Sequence, residues 1–129
     1  MDFIRRPESY DVVVGSYLFG DILTDIAAII TGSMGLAPSA NLDPERRYPS
    51  MFEPVHGSAP DIMGKGIANP MAQVLTGAMM LRHLGERDAA EEVERATLSL
   101  LDARDVLTQD LGGTSSTEFV GDAIVSALR

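Results

Sequence analysis

Asp11-Val12-Val13-Val14-Gly15-Ser16-Tyr17-Leu18-Phe19-Gly20-Asp21-Ile22-Leu23-Thr24-Asp25-Ile26-Ala27-Ala28-Ile29-Ile30 joins two patterns. Its first four residues are a β-branched run of the type buried on both faces of a sheet, and they predict a strand. Gly15 to Gly20 leave that strand, and Asp21 to Ile30 read as a helix that is apolar almost all round. Such a helix is packed on every side. A strand feeding a helix points to an α/β fold. In so short a chain that much apolar helix surface fits a subunit interface as readily as a private core.

Downstream, three helices carry their own start and stop signals. Asn69-Pro70 offers an N-cap and a first-turn proline; Met71, Val74, Leu75, Ala78 and Leu81 follow at helical spacing, and Gly85 ends the run. Asp88 with Glu91 resembles a capping box, opening a helix with Val93, Ala96, Thr97, Leu100 and Leu101 on one face. Ser115 with Glu118 repeats the device before a stripe of Phe119, Val120, Ala123, Ile124, Ala127 and Leu128. Between these regions, residues 32–69 are rich in glycine and proline. A structureless loop of that length is uncommon in a compact domain, so short strands are expected at Met34 to Ala37 and Phe52 to Val55. Loops then remain around Asn41 to Pro49 and His56 to Asn69.

The 129 residues carry 10 Lys+Arg against 19 Asp+Glu, a formal net charge of −9 that argues against nucleic-acid binding, which needs clustered cations. The single lysine is Lys65. The length suits one domain and buries roughly two-thirds of the unfolded surface. Without cysteine there is no disulfide scaffold, thiolate nucleophile or zinc-thiolate site, and with no export signal the expected location is cytoplasmic. No uncharged apolar run approaches the ~20 residues of a membrane helix.

Two groups of residues could carry chemistry. Asp21 and Asp25 stand four apart on the expected helix and share a face, where like charges cost a few tenths of a kcal/mol. A hard divalent cation, Mg²⁺ or Mn²⁺, would offset that repulsion; the simpler reading of the pair alone is that Asp21 caps the helix while Asp25 faces solvent near the favourable end of its dipole. The second group is Glu53-Pro54-Val55-His56-Gly57-Ser58-Ala59-Pro60-Asp61-Ile62, a strand end running into a turn of small residues. Gly57, Ser58 and Ala59 would let a flat ligand approach the backbone, and Asp61 could accept two hydrogen bonds from a ribose diol. The spacing is not that of a Rossmann crossover. A structural loop with a satisfied His56 explains the same residues, as an N-cap explains Asn69.

Five segments in order, Leu18 to Asp25, Ala37 to Asn41, Phe52 to Ile62, Gly66 to Pro70 and Asp110 to Gly113, resemble the C-terminal part of a β-decarboxylating dehydrogenase. That family comprises the isocitrate, isopropylmalate, tartrate and D-malate dehydrogenases, and the loop phrasing looks closest to the tartrate and D-malate branch. The resemblance implies an α/β, two-domain isopropylmalate-dehydrogenase-like fold, with a mixed sheet flanked by helices, incomplete on its own. Residues 1–31 would be the tail of the subunit-interface domain, a strand plus a dimer-interface helix, and 32–129 the C-terminal part of the cofactor-binding domain.

By position, the resemblance makes Asp21 and Asp25 metal ligands. It assigns His56, Gly57, Ser58, Ala59, Asp61, Ile62 and Asn69 to the adenosine half of NAD, and Glu53 to its nicotinamide end. It implies a 2-hydroxy dicarboxylate substrate, Mg²⁺ or Mn²⁺, and a homodimer or pairing with a full-length homologue. The family's acid/base tyrosine and lysine, its substrate arginines and a third metal aspartate correspond to positions before Asp11, so no catalytic residue is expected in this chain. Tyr17 stands where relatives carry asparagine. A non-catalytic nucleotide-binding or partner chain of the same descent is the alternative.

Overall fold

The computed structural model describes residues 1–128. Within them the chain forms helices α1 (Asp2–Arg5), α2 (Tyr17–Ile30), α3 (Met71–Leu84), α4 (Arg87–Ala103) and α5 (Thr117–Ala127), with strands β1 (Pro38–Asn41) and β2 (Met51–Pro54). The strands pair antiparallel, Pro38 opposite Pro54 and Asn41 opposite Met51. Prolines on both strands at one end of the pairing remove two ladder donors and mark where it stops. These are the only two strands of the expected mixed sheet among the described residues.

The expected strand at 11–14 does not form. Residues 11–16 run without a ladder partner, and Val12 and Val14 are 81% and 92% exposed. A β-branched run becomes a strand only where neighbouring strands take its backbone groups, and no described strand lies beside it. Likewise the expected strand at Met34 to Ala37 is a 3₁₀ turn, Met34–Leu36, with β1 beginning just after it. The Ser33 side chain accepts the Gly35 N–H and turns the chain there.

The loop joining the strands is organised by Asp43. Its carboxylate accepts the backbone N–H groups of Glu45 (3.1 Å), Arg47 (2.8 Å) and Tyr48 (2.8 Å). The Tyr48 bond leads in holding this carboxyl below its ordinary pKa, with the Glu45 and Arg47 bonds helping it against the opposing effect of desolvation. Arg46 then donates to the His83 carbonyl at the end of α3, where a helix leaves carbonyls unpaired.

α3 is the central element, packed against α4, both strands and the 33–36 turn. Asn69 Oδ1 accepts the Met71 N–H at 3.0 Å, but the cap position of α3 is Pro70 rather than Asn69, so Asn69 secures the first helical N–H from one residue before the cap. Gly85 at φ 100 closes the helix in the left-handed conformation, and Glu86 N–H bonds back to the Leu81 carbonyl. That closure launches α4 at Arg87, so the Asp88–Glu91 box is not used, and Glu86 at the cap position makes no side-chain bond. At α5 the cap is Ser116, accepting from Phe119 N–H, rather than Ser115. Three residues beyond Ser116 stands Phe119, so Glu118 cannot complete a box.

Met71, Ala96, Val120 and Ile124 form the buried core, ringed by Leu36, Val74, Leu100, Leu101, Val106, Leu111 and Ala127. Phe119 and Leu128, expected on the inner stripe, are exposed. α2 buries only Ala28 and leaves Leu18, Phe19, Ile22 and Ile29 in solvent. The described residues expose 8966 Å², against about 6,600 Å² for a compact monomer of this mass by the usual scaling. The excess lies in the range a stable protein interface buries. Among the described residues no helix is long and apolar enough to cross a membrane.

Candidate functional site: a glycine-edged cleft

Three stretches that are distant in sequence converge on a cleft of about 780 Å³, inside the range of roughly 300–1,000 Å³ usual for cofactors. They are the turn Ser33-Met34-Gly35, the loop from His56 to Asn69, and Gln109 and Asp110 with Thr117. The loop is tied down at its far end: Thr117 N–H donates to the Gly66 carbonyl at 2.8 Å and Thr117 Oγ1 to the Ala68 carbonyl at 2.6 Å. Near its start, His56 Nδ1 lies 3.1 Å from the Gly57 carbonyl. At Gly57 a Cβ would meet nothing within 4 Å, so the backbone faces open space there. Ala59 sits at φ 42, a conformation that costs a non-glycine residue about 1 kcal/mol or more and that concentrates at functional sites.

His56, Gly57, Ser58, Ala59, Ile62 and Asn69 all line this cleft. Asp61 is exposed on the same loop, between Ala59 and Ile62, and is not part of the lining. Glu53 is exposed on β2, opposite Ser39, and is not part of it either. Asp21 and Asp25 are exposed on α2, four residues apart and therefore on one face, and α2 contributes nothing to the cleft. Their hard carboxylate oxygens suit a divalent cation. Two do not make a site, and among the described residues no group of three or more His, Asp or Glu is placed to hold a metal.

The residues that organise the cleft centre on Asp110, whose role sequence reading missed. Asp110 Oδ2 accepts from Ser33 Oγ at 2.5 Å and from Asn69 Nδ2 at 3.0 Å; Oδ1 accepts from Thr108 Oγ1 at 2.5 Å. Burial raises the Asp110 pKa, but the hydrogen bonds from Ser33, Thr108 and Asn69 outweigh it and hold the carboxyl below the ordinary value. Gly35 lies directly against this cluster: a Cβ there would stand 2.8 Å from Asp110 Oδ2 and 2.7 Å from Asn69 Cβ. No spacing rule connects residues 33, 69 and 110. The one sequence signal was that Asp110 opens a Leu111-Gly112-Gly113 turn.

The profile of the isocitrate/isopropylmalate dehydrogenases matches residues 1–124. The chain belongs to the isocitrate/isopropylmalate dehydrogenase family. Within this family it is 52% identical over 127 residues to a probable tartrate dehydrogenase/decarboxylase of Bacillus subtilis, covering 98% of this chain and 36% of that protein. A 3-isopropylmalate dehydrogenase of Corynebacterium jeikeium is 53% identical over 126 residues, with the same 98% and 36% coverage. The crystal structure of isocitrate dehydrogenase from Methylococcus capsulatus superposes with a TM-score of 0.92 at 45% identity, covering 98% of this chain and 37% of that one. The architecture is thus that of the isocitrate/isopropylmalate dehydrogenase fold, and the chain spans about a third of the length of the relatives it matches.

Proposed function

We propose that this chain is the adenosine-binding portion of an NAD-dependent, divalent-metal-dependent oxidoreductase that oxidises and decarboxylates a 2-hydroxy dicarboxylate of the tartrate, D-malate or 3-isopropylmalate type. The observation that carries the reading is the cleft. It is the right size, is bordered by an open glycine backbone, and is lined by six of the eight residues expected to hold the cofactor. On this reading residues 1–31 are the tail of the subunit-interface domain and 32–129 the C-terminal part of the cofactor-binding domain, in a cytoplasmic enzyme.

His56 to Ala59, Ile62 and Asn69 enclose the adenosine half, while Asp61 receives the ribose diol from the exposed edge of the loop and repels a 2′-phosphate. When bound, NAD supplies the hydride acceptor and the cation supplies charge stabilisation for loss of CO₂. Asp21 and Asp25 offer two of the cation's oxygen ligands, and the remainder must come from outside the described residues. The exposed face of α2 is covered by a second copy or a full-length homologue, which would account for the excess of exposed surface.

The alternative, a non-catalytic nucleotide-binding or partner chain, draws on two further observations. The only lysine, Lys65, is exposed on the cleft loop, and the aspartate pair lacks a third carboxylate. A steady-state assay of the chain with metal, NAD and these acids should show no turnover; turnover would refute the absence of acid/base groups. In calorimetry with NAD, Asp61→Ala should weaken binding about five- to tenfold, the loss of a charge-assisted pair of hydrogen bonds. Equal heats for the variant and the parent chain would remove Asp61 from the cofactor site.

A further inference from the structure

Asn69 reaches the cleft with both ends of its side chain engaged. Its Nδ2 donates to Asp110 Oδ2 and its Oδ1 accepts the Met71 N–H. Ser33 is engaged in the same way: its hydroxyl donates to Asp110 Oδ2 and accepts the Gly35 N–H at 2.9 Å. A continuous relay therefore runs from the 33–35 turn, through one carboxylate oxygen, to the first residue of α3. The second oxygen fixes the carboxylate itself to Thr108. Three donors converge, and the Ser33 and Asn69 side chains are each engaged twice. An ionised carboxylate is the side chain that accepts at every lone pair and donates nothing.

We infer that Asp110 is a positioning residue for nucleotide recognition: acting through Ser33 and Asn69, it sets the separation of the two cleft-lining stretches that must close on an adenosine. The inference rests on the adenosine reading above. It adds to that reading a residue from a third stretch, 77 positions from Ser33 and 41 from Asn69, that organises the site. The energetic basis is the strength of charge-assisted bonds, roughly double that of neutral ones, in a partly buried setting. Asp110→Asn keeps size and shape, and Thr108 Oγ1 can rotate to accept from the new amide. The variant therefore keeps the contacts while weakening each of them.

The test is an AMP titration of the full 129-residue chain followed by amide NMR, with thermal unfolding in parallel. Asp110→Asn should weaken AMP binding about three- to tenfold and move the Asn69 side-chain amide resonances. Ser33→Ala alone should weaken it about two- to threefold, and should cost less when added to Asp110→Asn, because the two act in one network. Ile124→Val, in the core and not among the residues that line the cleft, should lower the unfolding midpoint and leave AMP affinity unchanged. AMP affinity unaltered in both Asp110→Asn and Ser33→Ala would overturn the inference, as would losses that track the folded fraction in the way Ile124→Val does. If the parent chain binds no AMP, the adenosine reading falls and this inference falls with it. Binding by the parent that both variants retain removes this inference alone.

Discussion

Alanine at Gly113 should destabilise the protein by roughly 2–4 kcal/mol and lower its unfolding midpoint by about 10 °C. The added Cβ would stand 2.0 Å from the Leu107 carbonyl oxygen and 2.5 Å from its carbon. Both are backbone atoms, so no rotamer change relieves the overlap and the turn itself must move. That turn is held from both sides: Gly113 N–H bonds the Thr108 carbonyl at 2.9 Å and Ser115 N–H bonds the same Leu107 carbonyl at 2.9 Å. Opening it breaks one or both bonds and shifts Thr108, which is buried. Urea or thermal unfolding followed by circular dichroism reads the effect directly. An unchanged midpoint would mean that the 107–113 turn is soft, and the account of how Asp110 is held would have to be revised.

The second large effect is expected at Gly35, and it differs in kind. A Cβ at this position would approach Asn69 Cβ at 2.7 Å, Asp110 Oδ2 at 2.8 Å and Asn69 Nδ2 at 2.9 Å. The overlap falls on the hydrogen-bond relay rather than on a backbone turn. Gly35→Ala should cost about 2 kcal/mol of stability, and also about tenfold in AMP or NAD affinity, since pushing Asn69 away disturbs a lining residue by several tenths of an ångström. Comparison with Gly113→Ala separates the two consequences: at matched loss of stability, Gly35→Ala should lose more affinity. If AMP titrations of folded Gly35→Ala match the parent chain, the close packing of the 33–35 turn against Asn69 has no bearing on binding.

What could be read from the residues in order was largely local. α3 and its Gly85 stop, the inner face of α4 and the core positions Val120 and Ile124 follow from a 3.6-residue period and backbone rules acting within a turn or two. The ends of elements were less legible. Ser116 caps α5 instead of Ser115, and α4 begins at Arg87, because the preceding turns decide which hydroxyl or carbonyl lies in reach. The strand expected at 11–14 failed for a different reason: a ladder is a property of two chain segments, and none of the described residues supplies the second. The site shows the same division. His56 to Ala59 and Asn69, which only the family resemblance had singled out from a structural loop and a helix cap, line the cleft. Asp110, which ties the cleft together, depends on partners 77 and 41 residues away, a proximity no local pattern encodes.

The central claim is that the cleft bordered by the 33–35 turn, the 56–69 loop and Asp110 takes an adenosine. Mapping amide chemical-shift changes on addition of AMP tests it most directly. The account predicts saturable shifts concentrated at His56 to Ala59, at Asn69 and at Gly35, with little change along the outer faces of α4 and α5. Saturation without shifts in the 56–69 loop, or no saturable response at all, would contradict it.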